Sequence, residues 1–158
     1  MGHGPGDVEI DPRGTFRAAA RRSLAVRGPE LLVHRDGTLA GEEIEALHQM
    51  RVASRRLRAV LEVYASCFPR RAHRRLLRLV KVTADALSEA RDLDVQIDGL
   101  RAYAAAAPEG DRAGIESLVA ELASRRAAAD EHLPPALARL DDERLARQVD
   151  RLVGEGSR

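Results

Sequence analysis

The sequence predicts an all-α fold, an antiparallel four-helix bundle, and three observations carry that prediction. Between its prolines and glycines the apolar residues recur at helical spacing and do not alternate as in a strand. Hydrophobic residues make up 44% of the chain but aromatics only 3%, so the core must be packed by Leu, Val and Ala. The amphipathic segments are joined by connections short enough to force antiparallel neighbours. A length of 158 residues suits one domain. At that size roughly 70% of the unfolded surface is buried, so no covalent staple is needed. Cys67 is the only cysteine, which excludes an intrachain disulfide and a cysteine-cluster zinc site and points to a reducing cytosol.

Residues 1–14 read as a flexible arm without the basic start and apolar run of a signal peptide. The first helix is expected from Thr15, a suitable N-cap, to about His34, with a disturbance at Gly28 and Pro29. A loop from Arg35 to Gly41 follows. The second helix opens with Gly41, Glu42 and Glu43, acids suited to the positive end of the helix dipole, and runs to Phe68 before Pro69 stops it. The third spans Arg71 to Ala107, with Gly99 its weakest interior position, and ends at the turn Pro108–Gly110. The fourth starts near Asp111 and passes Leu133, to be broken or kinked at Pro134 and Pro135. The bundle thus covers 15–140, and 141–158 forms a C-terminal helical turn and tail in which Leu145 to Val153 adds a turn or two. No apolar run of about 18 residues exists, so no membrane span and a cytoplasmic location are expected.

The formal net charge of +1 conceals a segregation. From His48 to Lys81 there are ten basic residues against a lone Glu62, a block of 10 − 1 = +9, so the remainder sums to −8. Such a block builds a local positive field that attracts phosphate-rich polymers. Arginine supplies 25 of the 26 basic residues, which favours forked contacts with phosphate, although a GC-rich genome would also enrich arginine.

At roughly 100° per residue, His48, Arg51, Arg55, Arg58 and Glu62 fall in a stripe about 80° wide. Met50, Leu57, Leu61, Tyr64 and Phe68 occupy the opposite, core-facing side, while Arg56 points elsewhere. The third helix repeats the design, with Arg71, Arg74, Arg75, Arg78 and Lys81 opposite Leu76, Val80, Ala84 and Leu87. The connection at Pro69 is short enough to set the two stripes side by side on one surface. Like charges at i,i+3 and i,i+4 cost a few tenths of a kcal/mol per pair, a cost that solvent and salt or a bound polyanion would offset.

The segment His48-Gln-Met-Arg51-Val52-Ala-Ser-Arg55-Arg56-Leu57-Arg58, followed downstream by Ala90-Arg91-Asp92-Leu93-Asp94-Val95, resembles the CHAD domain, the conserved histidine α-helical domain. The resemblance covers roughly residues 15–140 and implies a helical bundle that binds inorganic polyphosphate through histidine and basic residues, with no catalysis and no cofactor of its own. By matching position it implies anion contacts for His48, Arg51, Arg55 and Arg58; Arg71, Arg74, Arg78 and Lys81 match the second basic stripe only in character. Arg91, which falls toward the core side, is expected in a structural ion pair with an acidic neighbour at least as readily as in anion contact. Leu87-Ser88 stands where the family commonly has Leu-Gly. Family members usually carry two such bundles lining a central pore, and this length suits one. A homodimer that rebuilds the pore is favoured, against a natural half-domain or a truncated reading frame; association with polyphosphate granules would follow from the ligand. In the expected mechanism a linear polyanion lies between or along the stripes. Binding then weakens steeply with salt, tightens on acidification if His48 must be protonated, and is abolished by Arg55→Glu with Arg58→Glu.

Two rival classes are weaker. Non-specific nucleic-acid binding also uses a basic helix face, but single strands need stacking platforms, and the aromatics are only Phe16, Tyr64, Phe68 and Tyr103, with Tyr64 and Phe68 facing the core. An enzyme is disfavoured: Glu45 and His48 have the Glu-x-x-His spacing of di-iron bundles, yet there is no second copy and Arg51 would repel a metal. No phosphate loop or nucleophile–base order is present, and His34, His73 and His132 read as packing or solvated residues. A module docking an acidic protein on the same basic face remains the third reading.

Overall fold

The computed structural model describes residues 7–40, 44–140 and 142–154, and within them the fold is all-helical. Helix α1 spans Phe16–Val33, and the Thr15 hydroxyl caps it by accepting the Ala18 N–H at 3.1 Å. Pro29 sits inside α1 without ending it. Both Pro29 and Ala25, whose carbonyl the missing N–H leaves free, are exposed, and Arg27 bridges the site by a two-pronged contact to Glu30 at 2.6 and 2.8 Å. Gly28 has a different use. A Cβ there would stand 2.8 Å from Val149 Cγ2, so glycine is what lets α1 approach the last helix closely.

The expected loop after α1 is instead helix α2, Arg35–Ala40. Its first turn is held by Thr38, whose N–H and hydroxyl both donate to the His34 carbonyl, and Arg35 Nη1 ties it to the Leu140 carbonyl at 3.0 Å. The acids expected to open the next helix, Glu42 and Glu43, lie outside the described residues. Helix α3 spans Ile44–Val63 and gives way to a 3-10 turn at Ala65–Cys67, so it stops short of Phe68, which is extended because Pro69 follows. Helix α4 runs unbroken over Arg70–Ala106, 37 residues and about 55 Å. Helix α5, Glu109–Ala138, passes through Pro134 and Pro135, which are exposed and one turn from its end, where the carbonyls they orphan face water. The predicted C-terminal turn or two is a full helix, α6, Asp142–Gly154.

Packing assigns the helices different roles from those the sequence suggested. Helix α1 packs on α3 and α6, α3 packs on α4, and α4 packs in turn on α6, which closes a ring of four around one core. Leu24, Leu57, Leu61, Leu76 and Leu145 are fully or almost fully buried there, joined by Leu133, Leu137 and Leu140 from the end of α5. The rest of α5 pairs with the second half of α4 as an antiparallel hairpin around a small core of Leu93, Ile97, Leu122 and Ala129. Helix α6, with Leu145, Val149 and Leu152 at helical spacing, thus takes the place expected for the 111–133 segment. Between α3 and α4, buried His73 donates its Nε2 proton to the Leu61 carbonyl at 2.7 Å, which fixes their register at the Pro69 connection.

Candidate functional site

The basic residues predicted on α3 and α4 do share a surface, but the two stripes differ in what surrounds them. On α3, Arg51 is half-buried and its Nη2 lies 3.8 Å from Asp92 Oδ1, while its Nε is buried with no hydrogen-bond partner. Arg58 Nε donates to Glu62 Oε1 at 2.9 Å, and the same carboxylate oxygen lies 3.7 Å from Lys81 Nζ of α4. The Arg58 hydrogen bond holds the Glu62 carboxyl below its ordinary pKa and raises that of the guanidinium. His48 is half-buried and Arg55 exposed, without an ion pair among the described residues. Three of the predicted contact residues, Arg51, Arg58 and Lys81, are therefore partly neutralised within the protein.

The contact between Arg51 and Asp92 also relates the two sequence motifs. Their separation along the chain closes because α3 and α4 run antiparallel, which brings the Arg-Asp pair of α4 beside the start of the α3 stripe. Asp92 is the member that pairs. Arg91, half-buried, makes no ion pair among the described residues, so the structural ion pair expected for it is not found.

The α4 stripe faces a different neighbour. Arg75 and Leu79 of α4, with Arg139 after α5 and Arg144, Arg147 and Arg151 of α6, line an open groove of about 600 Å³. It continues over the α4 surface past Arg71, Arg74 and Arg78, with Arg139 common to both stretches. None of the described residues lining either stretch is acidic. Of the predicted site residues, Arg71, Arg74 and Arg78 thus belong to this groove, Lys81 joins the α3 stripe through Glu62, and the α3 residues lie across α4 from it.

Sequence reasoning missed the far wall, Arg139, Arg144, Arg147 and Arg151. The same helical test would have found the last three. They share a face about 60° wide, opposite Leu145, Val149 and Leu152, whereas the expectation for this segment was only a helical turn or two and a tail. Arg139 carries no such signal, since it sits at the end of α5 and reaches the groove only through the turn to α6.

The first turn of α4 contains no acid, and Arg70, Arg71 and Arg74 crowd the end where the helix dipole is already positive. Each such charge costs a few tenths of a kcal/mol up to about 1 kcal/mol, and an anion at this end relieves it. Chemically the groove offers many guanidinium donors and few acceptors, an arrangement for binding a multiply charged oxyanion. Among the described residues no group of three or more His, Cys, Asp or Glu could hold a metal ion, and no helix is long and apolar enough to cross a membrane.

A family model described as the CHAD domain matches residues 24–158, nearly the whole described chain including α6. A search of curated proteins finds no match.

Proposed function

The chain belongs to the CHAD-domain family, and from that premise we propose that it binds inorganic polyphosphate on the basic face of α4, as a binding module and not as an enzyme. The observation that carries the reading is the groove of about 600 Å³ between α4 and α6, walled by arginines and by no acidic residue among those described. A linear chain of phosphates presents an oxyanion at every repeat, so one strand laid along the groove meets successive guanidinium forks from both walls. His48, Arg51, Arg55, Arg58 and Lys81 flank the strand on the α3 side, and Arg71, Arg74 and Arg78 underlie it. Release of condensed counterions drives the affinity, by analogy with nucleic acids. Two copies of the chain, with basic faces opposed, would enclose the polyanion from both sides, and a homodimer in a reducing, cytoplasmic setting fits this reading. Phe16 and Tyr64 pack on each other at 4.8 Å between centroids, leaving few rings to stack bases, so phosphate chains are favoured over nucleic acid.

The test is titration of long-chain polyphosphate into the purified protein at about 50 and 200 mM salt, with light scattering on the same sample and DNA as competitor. Affinity should fall more than about tenfold between the two salts, and DNA should not displace the phosphate chain at equal phosphate concentration. Absence of binding by a folded sample would overturn the assignment.

A further inference from the structure

Beyond the groove, where α1 passes the Pro69 connection, lies a second cavity of about 240 Å³. Arg17 and Arg21 of α1 form one wall and Ser66 and Cys67 of the 3-10 turn another. Pro69 lines both this cavity and the stretch of groove that holds Arg71, Arg75 and Arg151, so the two adjoin at that residue. The cavity goes no further: Phe68 and Leu152, which close it, are core residues only 6% and 3% exposed.

Among the described residues the donors here have no acceptor. Arg21 Nη2 is buried without a hydrogen-bond partner, and among the described residues Arg17 makes no ion pair and the Ser66 hydroxyl no hydrogen bond. No described residue lining the cavity is acidic. A buried guanidinium nitrogen left unsatisfied calls for an acceptor, and two guanidinium groups beside a hydroxyl suit a tetrahedral oxyanion. A terminal phosphate carries one more ionisable oxygen than a phosphate inside the chain, and only a chain end can enter a cavity that stops against the core. The geometry points to a pocket at Arg17, Arg21 and Ser66 that receives the terminal phosphate of a linear polyphosphate whose body lies in the α4–α6 groove. This inference rests on the polyphosphate reading above.

Cys67, half-buried in the same wall and the only cysteine, reports occupancy. Its alkylation by neutral iodoacetamide is measured with linear tripolyphosphate and with cyclic trimetaphosphate, which has the same number of phosphates and no end. The linear compound should slow alkylation at least about fivefold at saturation and the cyclic one less than about twofold. In Arg17→Ala with Arg21→Lys, a pair that spares the groove, protection should vanish while long-chain polyphosphate still binds within about threefold of the parent. Equal protection by the two compounds, or protection that survives the double substitution, would overturn the pocket. Long-chain binding without any linear-specific protection would overturn the pocket alone, and loss of all polyphosphate binding by the parent protein would remove both it and the function it rests on.

Discussion

The two halves of α4 are one continuous helix with opposite characters. From Arg70 to Lys81 it carries six basic residues and no acid; from Val82 to Ala106 it carries Asp85, Glu89, Asp92, Asp94 and Asp98 against Arg91 and Arg101, which gives 2 − 5 = −3. The basic half is anchored in the large core by Leu76 and Val80, whereas the acidic half holds α5 through the small core of Leu93 and Ile97, with Leu100 packed against it. Charge is handled differently too. In the acidic half Asp94 accepts from Arg126 Nε at 2.7 Å, and Arg126 also pairs with Asp130. Burial works against the charge of that guanidinium, but its two carboxylate partners outweigh it and raise its pKa. In the basic half the arginines face a groove of other arginines. A net charge near zero therefore says little about a protein whose two regions are far from neutral separately, and the groove proposed to bind is the one whose lining holds no acidic residue among those described.

That contrast is open to attack at several points, taken from the largest expected effect downward. Leu76→Ala, which hollows the large core at a fully buried position, should cost about 3–4 kcal/mol in urea unfolding, and Ile97→Ala in the hairpin about 2 kcal/mol. Equal costs would mean that the hairpin is as tightly packed as the ring. Reversing the two groove walls together, Arg75→Glu with Arg144→Glu, should weaken long-chain polyphosphate binding by about 100-fold with helicity unchanged, while Arg101→Glu and Arg125→Glu in the hairpin change it by less than about twofold. Arg55→Glu with Arg58→Glu should weaken binding by about tenfold, less than the groove pair and short of the abolition expected from sequence, because Glu62 already engages Arg58. A larger loss from the α3 pair than from the groove pair would move the site to the α3 stripe. In the acidic half, Asp94→Ala leaves a largely buried Arg126 with one partner and should cost about 1–2 kcal/mol of stability, without effect on polyphosphate affinity.

The smallest effect concerns acid. The Glu62 carboxyl has its pKa lowered in the folded protein by the Arg58 hydrogen bond, so its contribution is present at neutral pH and is lost as pH falls through the folded-state value, below the ordinary carboxylate range. Because Glu62 is exposed, the contribution is only a few tenths of a kcal/mol. Urea midpoints of the parent protein and Glu62→Gln should differ at neutral pH by that amount and converge once the pH has fallen through the folded-state value; a difference that persists after the carboxyl is protonated would mean that packing, and not the carboxylate charge, matters at this position.

Helix periodicity made most elements readable in advance. Thr15 capped where a hydroxyl before an apolar repeat should, α4 kept its length because nothing inside it breaks a helix except an exposed glycine, and the core faces of α3 and α4 followed from the spacing of Leu57, Leu61, Leu76 and Val80. The misreadings share one cause, that local breakers were given tertiary weight. Gly28-Pro29, Pro134-Pro135 and the Arg35–Ala40 stretch are turn-like in isolation, yet close packing on Val149, solvent-facing carbonyls and the Thr38 and Arg35 hydrogen bonds keep them helical.

The site divides along the same line. The amino-acid sequence by itself determined that α3 and α4 each carry a basic stripe opposite an apolar one, and that 25 of the 26 cations are forked arginines, because side-chain identity and a helical repeat of 3.6 residues fix which groups share a face. Only the tertiary structure decided which of those charges meet a carboxylate and which meet one another. Asp92 and Lys81 of α4 reach Arg51 and Glu62 of the α3 stripe across the α3–α4 contact, and α6 returns to lie against α4 because Leu145, Val149 and Leu152 are buried only in the ring it closes. Coulombic interactions fall off with distance through space and not along the chain, so the placement of a distant helix by its apolar face set the electrostatics of the groove.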